Sequence, residues 1–114
     1  MLSKKYRLTS PSEFSKTTKS GLRIGGENFV LYIYQSESQD PARLGLIISK
    51  NTGGSVARHK VARRLRHQMA EHLPLLQTGT LLVIRAQAGA LKADVSREIP
   101  SLLARASKKL AVAK

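Results

Sequence analysis

Apolar and polar positions along the chain fall into two rhythms that alternate from one end to the other. Ser10-Pro11-Ser12-Glu13 has the form of a helix start, with Ser10 and Glu13 spaced as a capping box and Pro11 at the first turn. The spacing predicts a short helix over Pro11 to Ser20, closed by Gly21 in the left-handed conformation. From Asn28 to Gln35 the period becomes two, with Phe29, Leu31 and Ile33 on one side and Val30, Tyr32 and Tyr34 on the other. Gly25-Gly26 leaves room for a weak strand before it. A polar turn over Ser36 to Pro41 leads to a second strand, Leu44 to Ser49. After the loop Asn51 to Ser55, the period turns helical up to His72, and Pro74 closes it. Thr80 to Arg85 is a short strand of the buried type. Ala93 to Ala111 is a helix pattern in which Pro100 predicts a kink or a restart.

The segment from Ser55 to His72 has two unlike sides. At 100° per residue, Val61, Ala62, Leu65 and Met69 form an arc of about 100° that suits a core. His59, Lys60, Arg63, Arg64, Arg66 and His67 fall on the other arc. Arg58 projects among the apolar positions, so it either overhangs the sheet edge or has its charge engaged.

Charge explains why that polar arc matters. The 114 residues carry 20 Lys plus Arg against 7 Asp plus Glu, a formal charge of +13. An apolar fraction of 41% is too high for a disordered basic tail, and the length suits one domain, 1–114, with a basic tail expected over 107–114. Between Asp40 and Glu71 there is no acid, while Arg43, Lys50, Arg58, Lys60, Arg63, Arg64 and Arg66 all lie inside. A merely solvated helix face ordinarily mixes Glu with Lys for pairwise support. This one has no partner for any cation, which points to phosphates. The glycine loop before the helix is either a plain turn or an anion cradle.

Other chemistry is scarce. There is no cysteine, hence no thiol nucleophile or Cys-based zinc site. The basic start, Met1 to Arg7, lacks the apolar core of a signal peptide. The longest run free of charge, His72 to Ile84, is too short to span a bilayer. His59 and His67 share a face but are eight residues apart, about 12 Å of rise, without a carboxylate to orient either ring. All five aromatics, Tyr6, Phe14, Phe29, Tyr32 and Tyr34, lie in the first 34 residues. Phe29 belongs to the core; Tyr32 and Tyr34 either rim it or stack unpaired bases.

Read in order, Arg7-Leu8, Glu13-Phe14, Gly21, Phe29-Val30-Leu31-Tyr32 and the block Gly45 to Arg66 resemble the bacterial ribonuclease P protein component, from about Lys4 to Arg105. The block is similar to the family signature S-K-K-x-G-x-A-V-x-R-N-R-x-K-R-x-x-R, with Ser49, Lys50, Gly53, Val56, Arg58, Arg63 and Arg66 in place. Asn51, Ser55, His59, Lys60 and Ala62 depart from it.

The resemblance implies an α+β sandwich, ordered α-β-β-β-α-β-α, with a left-handed βαβ crossover of the ribosomal protein S5 domain 2-like kind. It implies an auxiliary subunit that binds a catalytic RNA through Ser49, Lys50, Gly53, Arg58, His59, Lys60, Arg63, Arg64 and Arg66. The single-stranded 5′ leader of precursor tRNA would lie against Phe14, Thr18, Tyr32 and Tyr34, with Thr18 standing where the family has a second aromatic. Hydrolysis would fall to the RNA and its Mg²⁺, with no catalytic residue and no cofactor on the chain itself. The expected setting is the cytoplasm, with RNA rather than DNA or membrane as partner; homo-dimerisation is left open. Two other classes compatible with the residues are a basic ribosomal-type RNA-binding protein and a protein-only ribonuclease built on His59 or His67.

Overall fold

In a computed structural model, which describes residues 4–113 and the side chains of 4–109, the chain runs α1 (Pro11–Ser20), β1 (Leu22–Gly25), β2 (Phe29–Gln35), β3 (Arg43–Ile48), α2 (Ser55–Ala70), β4 (Thr80–Ala86) and α3 (Val95–Ala113). The order is the expected α-β-β-β-α-β-α. The strands form one sheet in the order β1-β2-β4-β3. β2 pairs antiparallel with β1 and β4, whereas β3 pairs parallel with β4. A parallel pair cannot be closed by a hairpin, so α2 is the crossover that returns the chain to start β4.

Both faces of the sheet are covered. One face carries Ile24, Phe29, Leu31, Ile33, Leu82 and Ile84 into the main core, with Val61, Leu65 and Met69 of α2 and Ile99, Leu102 and Ala106 of α3. On the other face Leu8, Leu81 and Val83 pack with Phe14 of α1 and with Tyr32, Tyr34 and Ile47. The alternation of β2 therefore divides two apolar layers, not core from solvent.

Several starts and stops differ from expectation, each for a local reason. Ser10 caps α1 by accepting from the Glu13 N–H. The Glu13 carboxylate, however, does not reach back to Ser10. It receives two charge-assisted bonds from Arg43, at 2.9 and 2.7 Å, which are stronger than a bond from a neutral backbone amide. Gly21 is extended, at φ −76° and ψ 167°, not left-handed. Its reason is close approach: a Cβ there would strike the Thr17 carbonyl oxygen and lie 2.8 Å from that of Ile33. α2 ends at Ala70, and Leu73–Leu75 forms a separate 3-10 turn.

α3 passes through Pro100 without a restart, giving up the intrahelical bond that the proline nitrogen cannot donate. It also takes up 107–113, the stretch expected as a tail; Lys114 and the expected basic start at Met1–Ser3 lie outside the described residues. Glu98 of α3 clamps the beginning of β2, accepting from the backbone N–H groups of Asn28 and Phe29 at 2.8 and 3.0 Å and from the Asn28 amide at 3.0 Å.

α1 is seated by a glycine. A Cβ on Gly45 of β3 would fall against the Phe14 ring, 2.6 Å from Cε1, so the ring occupies the space that any side chain at 45 would need. Gly45→Ala is expected to lower stability by about 1–3 kcal/mol in urea denaturation. In a Phe14→Leu background the same change should cost well under half as much, and equal costs in the two backgrounds would show that the ring does not depend on the glycine.

Candidate nucleic-acid interface

Burial of Val61, Ala62, Leu65 and Met69 turns the rest of α2 outward. His59, Lys60, Arg63 and His67 are exposed and Arg66 is half-buried. With Val56, itself 81% exposed, they line one shallow concavity that contains no carboxylate. The ion pair of Arg43 with Glu13 lies elsewhere. These cations are therefore held close together by the helix without local neutralisation, an arrangement that attracts a polyanion.

Two arginines of the same helix are placed differently. Arg58 overhangs the edge strand β3, in a groove shared with Leu46, Ile48, Ala62 and Arg66. Its Nε is buried without a hydrogen-bond partner. Arg64, which the helical projection puts on the outer arc, is half-buried and donates from Nη1 to the Leu91 carbonyl at 2.8 Å. It therefore ties α2 to the turn before α3 as well as contributing charge.

The loop before α2 is anchored at one end and open at the other. Lys50–Thr52 form a 3-10 turn preceded by Ser49, whose carbonyl accepts from the Thr52 N–H. Thr52 is buried, with Oγ1 3.4 Å from the Gln87 carbonyl just beyond β4. Gly53 has φ 141°, a conformation that other residues resist, and a Cβ there would lie 2.8 Å from that of Ala57. Its N–H is taken by the Lys50 carbonyl. No side chain caps α2 at Gly54, so the helix start stands beside exposed Lys50 with backbone donors available.

The second surface is on the opposite face of the sheet. Phe14, Thr18, Tyr32 and Tyr34 all lie at the α1 layer and all are half-buried. Tyr34 has the Lys16 ammonium 5.6 Å from its ring centroid, and Thr18 Oγ1 donates within α1, to the carbonyls of Phe14 and Ser15 at 3.1 and 3.2 Å. Thr18 thus offers neither an aromatic plane nor a spare donor. Tyr32 is paired across the sheet with Arg23 on one side and Val83 on the other, and Val83 with Gly45, the seat of Phe14.

The sheet register adds two cations absent from the sequence expectation. Arg23 and Arg85 share the face of Tyr32, and both are exposed. Arg85 resembles a strand-ending residue in the sequence, but β4 continues to buried Ala86, which makes Arg85 an outward cation within a strand.

The histidines do not converge. His59 and His67 sit on the cationic concavity, and half-buried His72 has its Nε2 buried without a partner. Among the described residues no group of three His, Asp or Glu side chains is placed to hold a metal ion, and no helix is long and apolar enough to cross a membrane.

The family model described as Ribonuclease P matches residues 2–110. The chain is 41% identical over 111 residues to the ribonuclease P protein component of Mycobacterium sp. (strain KMS), covering 93% of each. It is 34% identical over 109 residues to that of Acidothermus cellulolyticus, covering 92% of this chain and 91% of the relative. In fold it is similar to the Staphylococcus aureus RNase P protein, with TM-score 0.80 at 24% identity over 89% of this chain and 94% of that one. The Thermotoga maritima RNase P protein gives 0.74 at 22% identity, over 87% and 96%.

The contrast between Arg63 and Arg64 can be measured directly. Arg64→Ala should cost about 1 kcal/mol of stability through the lost bond to Leu91, whereas Arg63→Ala should stay within about 0.5 kcal/mol of the parent. Equal urea midpoints for the two variants would contradict the anchoring role.

Proposed function

The chain belongs to the ribonuclease P protein family, and on that premise we propose that its two surfaces serve two different RNAs. It is a protein subunit of the ribonucleoprotein that matures tRNA 5′ ends. The α2 face, with Lys50, Gly53, Arg58, His59, Lys60, Arg63, Arg64 and Arg66 and with Ser49 at the loop's start, binds the catalytic RNA. The layer of Phe14, Tyr32 and Tyr34 receives the single-stranded 5′ leader of precursor tRNA, with Thr18 marking its less adhesive end.

The observation that carries this proposal is the unneutralised cationic face of α2, with no acid between Asp40 and Glu71. A folded RNA offers phosphates at many angles, which suits several arginines on one rigid helix. Each phosphate neutralised releases counterion, so binding weakens with salt at a log-log slope of roughly 0.7–0.9 per contact. The half-buried tyrosine at 32 supplies a π-face to a base that is already unpaired, a contact worth about 1–3 kcal/mol.

Hydrolysis in this proposal belongs to the RNA and the Mg²⁺ that it binds. The chain has no convergent ligand set to hold that ion among its described residues. Its contribution is to lower repulsion between the two RNAs and to extend the grip on substrate past the tRNA body. The cytoplasm, where tRNA precursors are made, is the setting that this role requires.

The two surfaces should separate under mutation. In the holoenzyme, Tyr32→Ala is expected to weaken precursor tRNA binding by about 5- to 150-fold while leaving mature tRNA unchanged. Arg63→Ala should instead weaken assembly with the catalytic RNA and reduce its salt slope. Equal loss of precursor and mature tRNA in Tyr32→Ala would exclude leader stacking.

A further inference from the structure

We infer that Arg23 and Arg85 form a two-cation track that holds the phosphate backbone of a single strand on either side of Tyr32. The inference rests on the leader-binding proposal and deepens it, because it names where the strand's phosphates go. β4 is buried at every position except Arg85, its pattern being five buried residues, one exposed and one buried. A charged side chain directed outward from a central strand, between neighbours on both sides, is not needed by the core. Arg85 lies in the cross-sheet row Gly25-Val30-Arg85-Ile47, and Arg23 in the next, Arg23-Tyr32-Val83-Gly45.

α1 does not neutralise this region. Its one acid, Glu13, is spent on Arg43, and the helix packs across β2 and β4 with the Phe14 ring set against Gly45. Neither the Arg23 nor the Arg85 side chain has a hydrogen bond or ion pair among the described residues. Strand spacing and rise put their Cα atoms roughly 12 Å apart, with Tyr32 next to Arg23 and diagonal to Arg85. A base on the Tyr32 ring would then have a guanidinium on each flank of its own backbone, and guanidinium forks bind phosphate bidentately.

The track also has a direction. Two residues after Arg85, the Gln87 carbonyl receives Thr52 from the loop that contains Lys50. Arg85 therefore stands between the Tyr32 layer and the loop at the start of α2, where the two proposed RNA surfaces meet. A strand leaving the tRNA body near that loop would meet Arg85 first, then Tyr32, then Arg23.

The test uses holoenzyme reconstituted with Arg23→Ala, Arg85→Ala or the double variant, titrated with precursor and mature tRNA over a range of salt. Urea midpoints should match the parent, since both side chains are exposed. Each single variant is expected to lower precursor affinity about 3- to 10-fold, to reduce its salt slope by about 0.7, and to leave mature tRNA unchanged. Arg85→Lys should restore the slope but only part of the affinity, because an ammonium lacks the fork. Unchanged precursor affinity and slope alongside a selective Tyr32→Ala effect would overturn the track and leave the leader proposal standing. A Tyr32→Ala effect that is not selective would remove the leader proposal and the track together.

Discussion

The architecture depends on β4 being a central strand with unlike neighbours, antiparallel to β2 and parallel to β3. The parallel neighbour demands a crossover, and the crossover is α2. Once α2 commits its apolar stripe to one face of the sheet, its arginines must face away. The antiparallel neighbour places Tyr32 and Tyr34 on the other face, under α1. One pairing choice thus puts a ladder of cations and a layer of aromatics on separate surfaces that approach each other at the exit of β4, where Thr52 is tied to Gln87.

Charge is tolerable in this arrangement because the fold spends it unevenly. Arg43 is neutralised by Glu13, Arg64 is used as a hydrogen-bond anchor, and Arg105 donates to the Gly25 carbonyl at the edge of β1 at 3.0 Å. Glu98, half-buried, is committed to the backbone at the start of β2. The remaining exposed cations repel one another, and that self-repulsion costs stability that a polyanion restores on binding. The chain therefore needs no catalytic groups of its own to matter in catalysis. In the proposed role it changes the electrostatic cost of bringing two RNAs together.

Periodicity made most of this legible before any coordinates. The stripe Val61, Ala62, Leu65 and Met69 is the buried face of α2, and the two faces of β2 are the two faces of the sheet. The errors lie where tertiary contacts compete with local rules. Glu13 has the spacing of a capping box, yet Arg43, thirty residues away, outcompetes the local amide. Gly21 has the position of a left-handed cap, yet it is needed for the close approach of β2. Gly45 stands in the matched block, yet a glycine within a strand does not say which ring will lie on it. Arg23 and Arg85 were hidden because their placement beside Tyr32 is a matter of register, which one strand does not reveal. The motif itself was the most informative part of the site, since its arginines recur at helical spacing on a segment without acids.

The central claim is that this chain assists a catalytic RNA and does not cleave on its own. Adding it to a matching ribonuclease P RNA at low Mg²⁺ and following precursor-tRNA cleavage tests that claim most directly. The account predicts little cleavage by either component alone and a large gain when they are combined, abolished by prior digestion of the RNA. No gain on mixing, or cleavage by the protein that survives removal of all RNA, would contradict it.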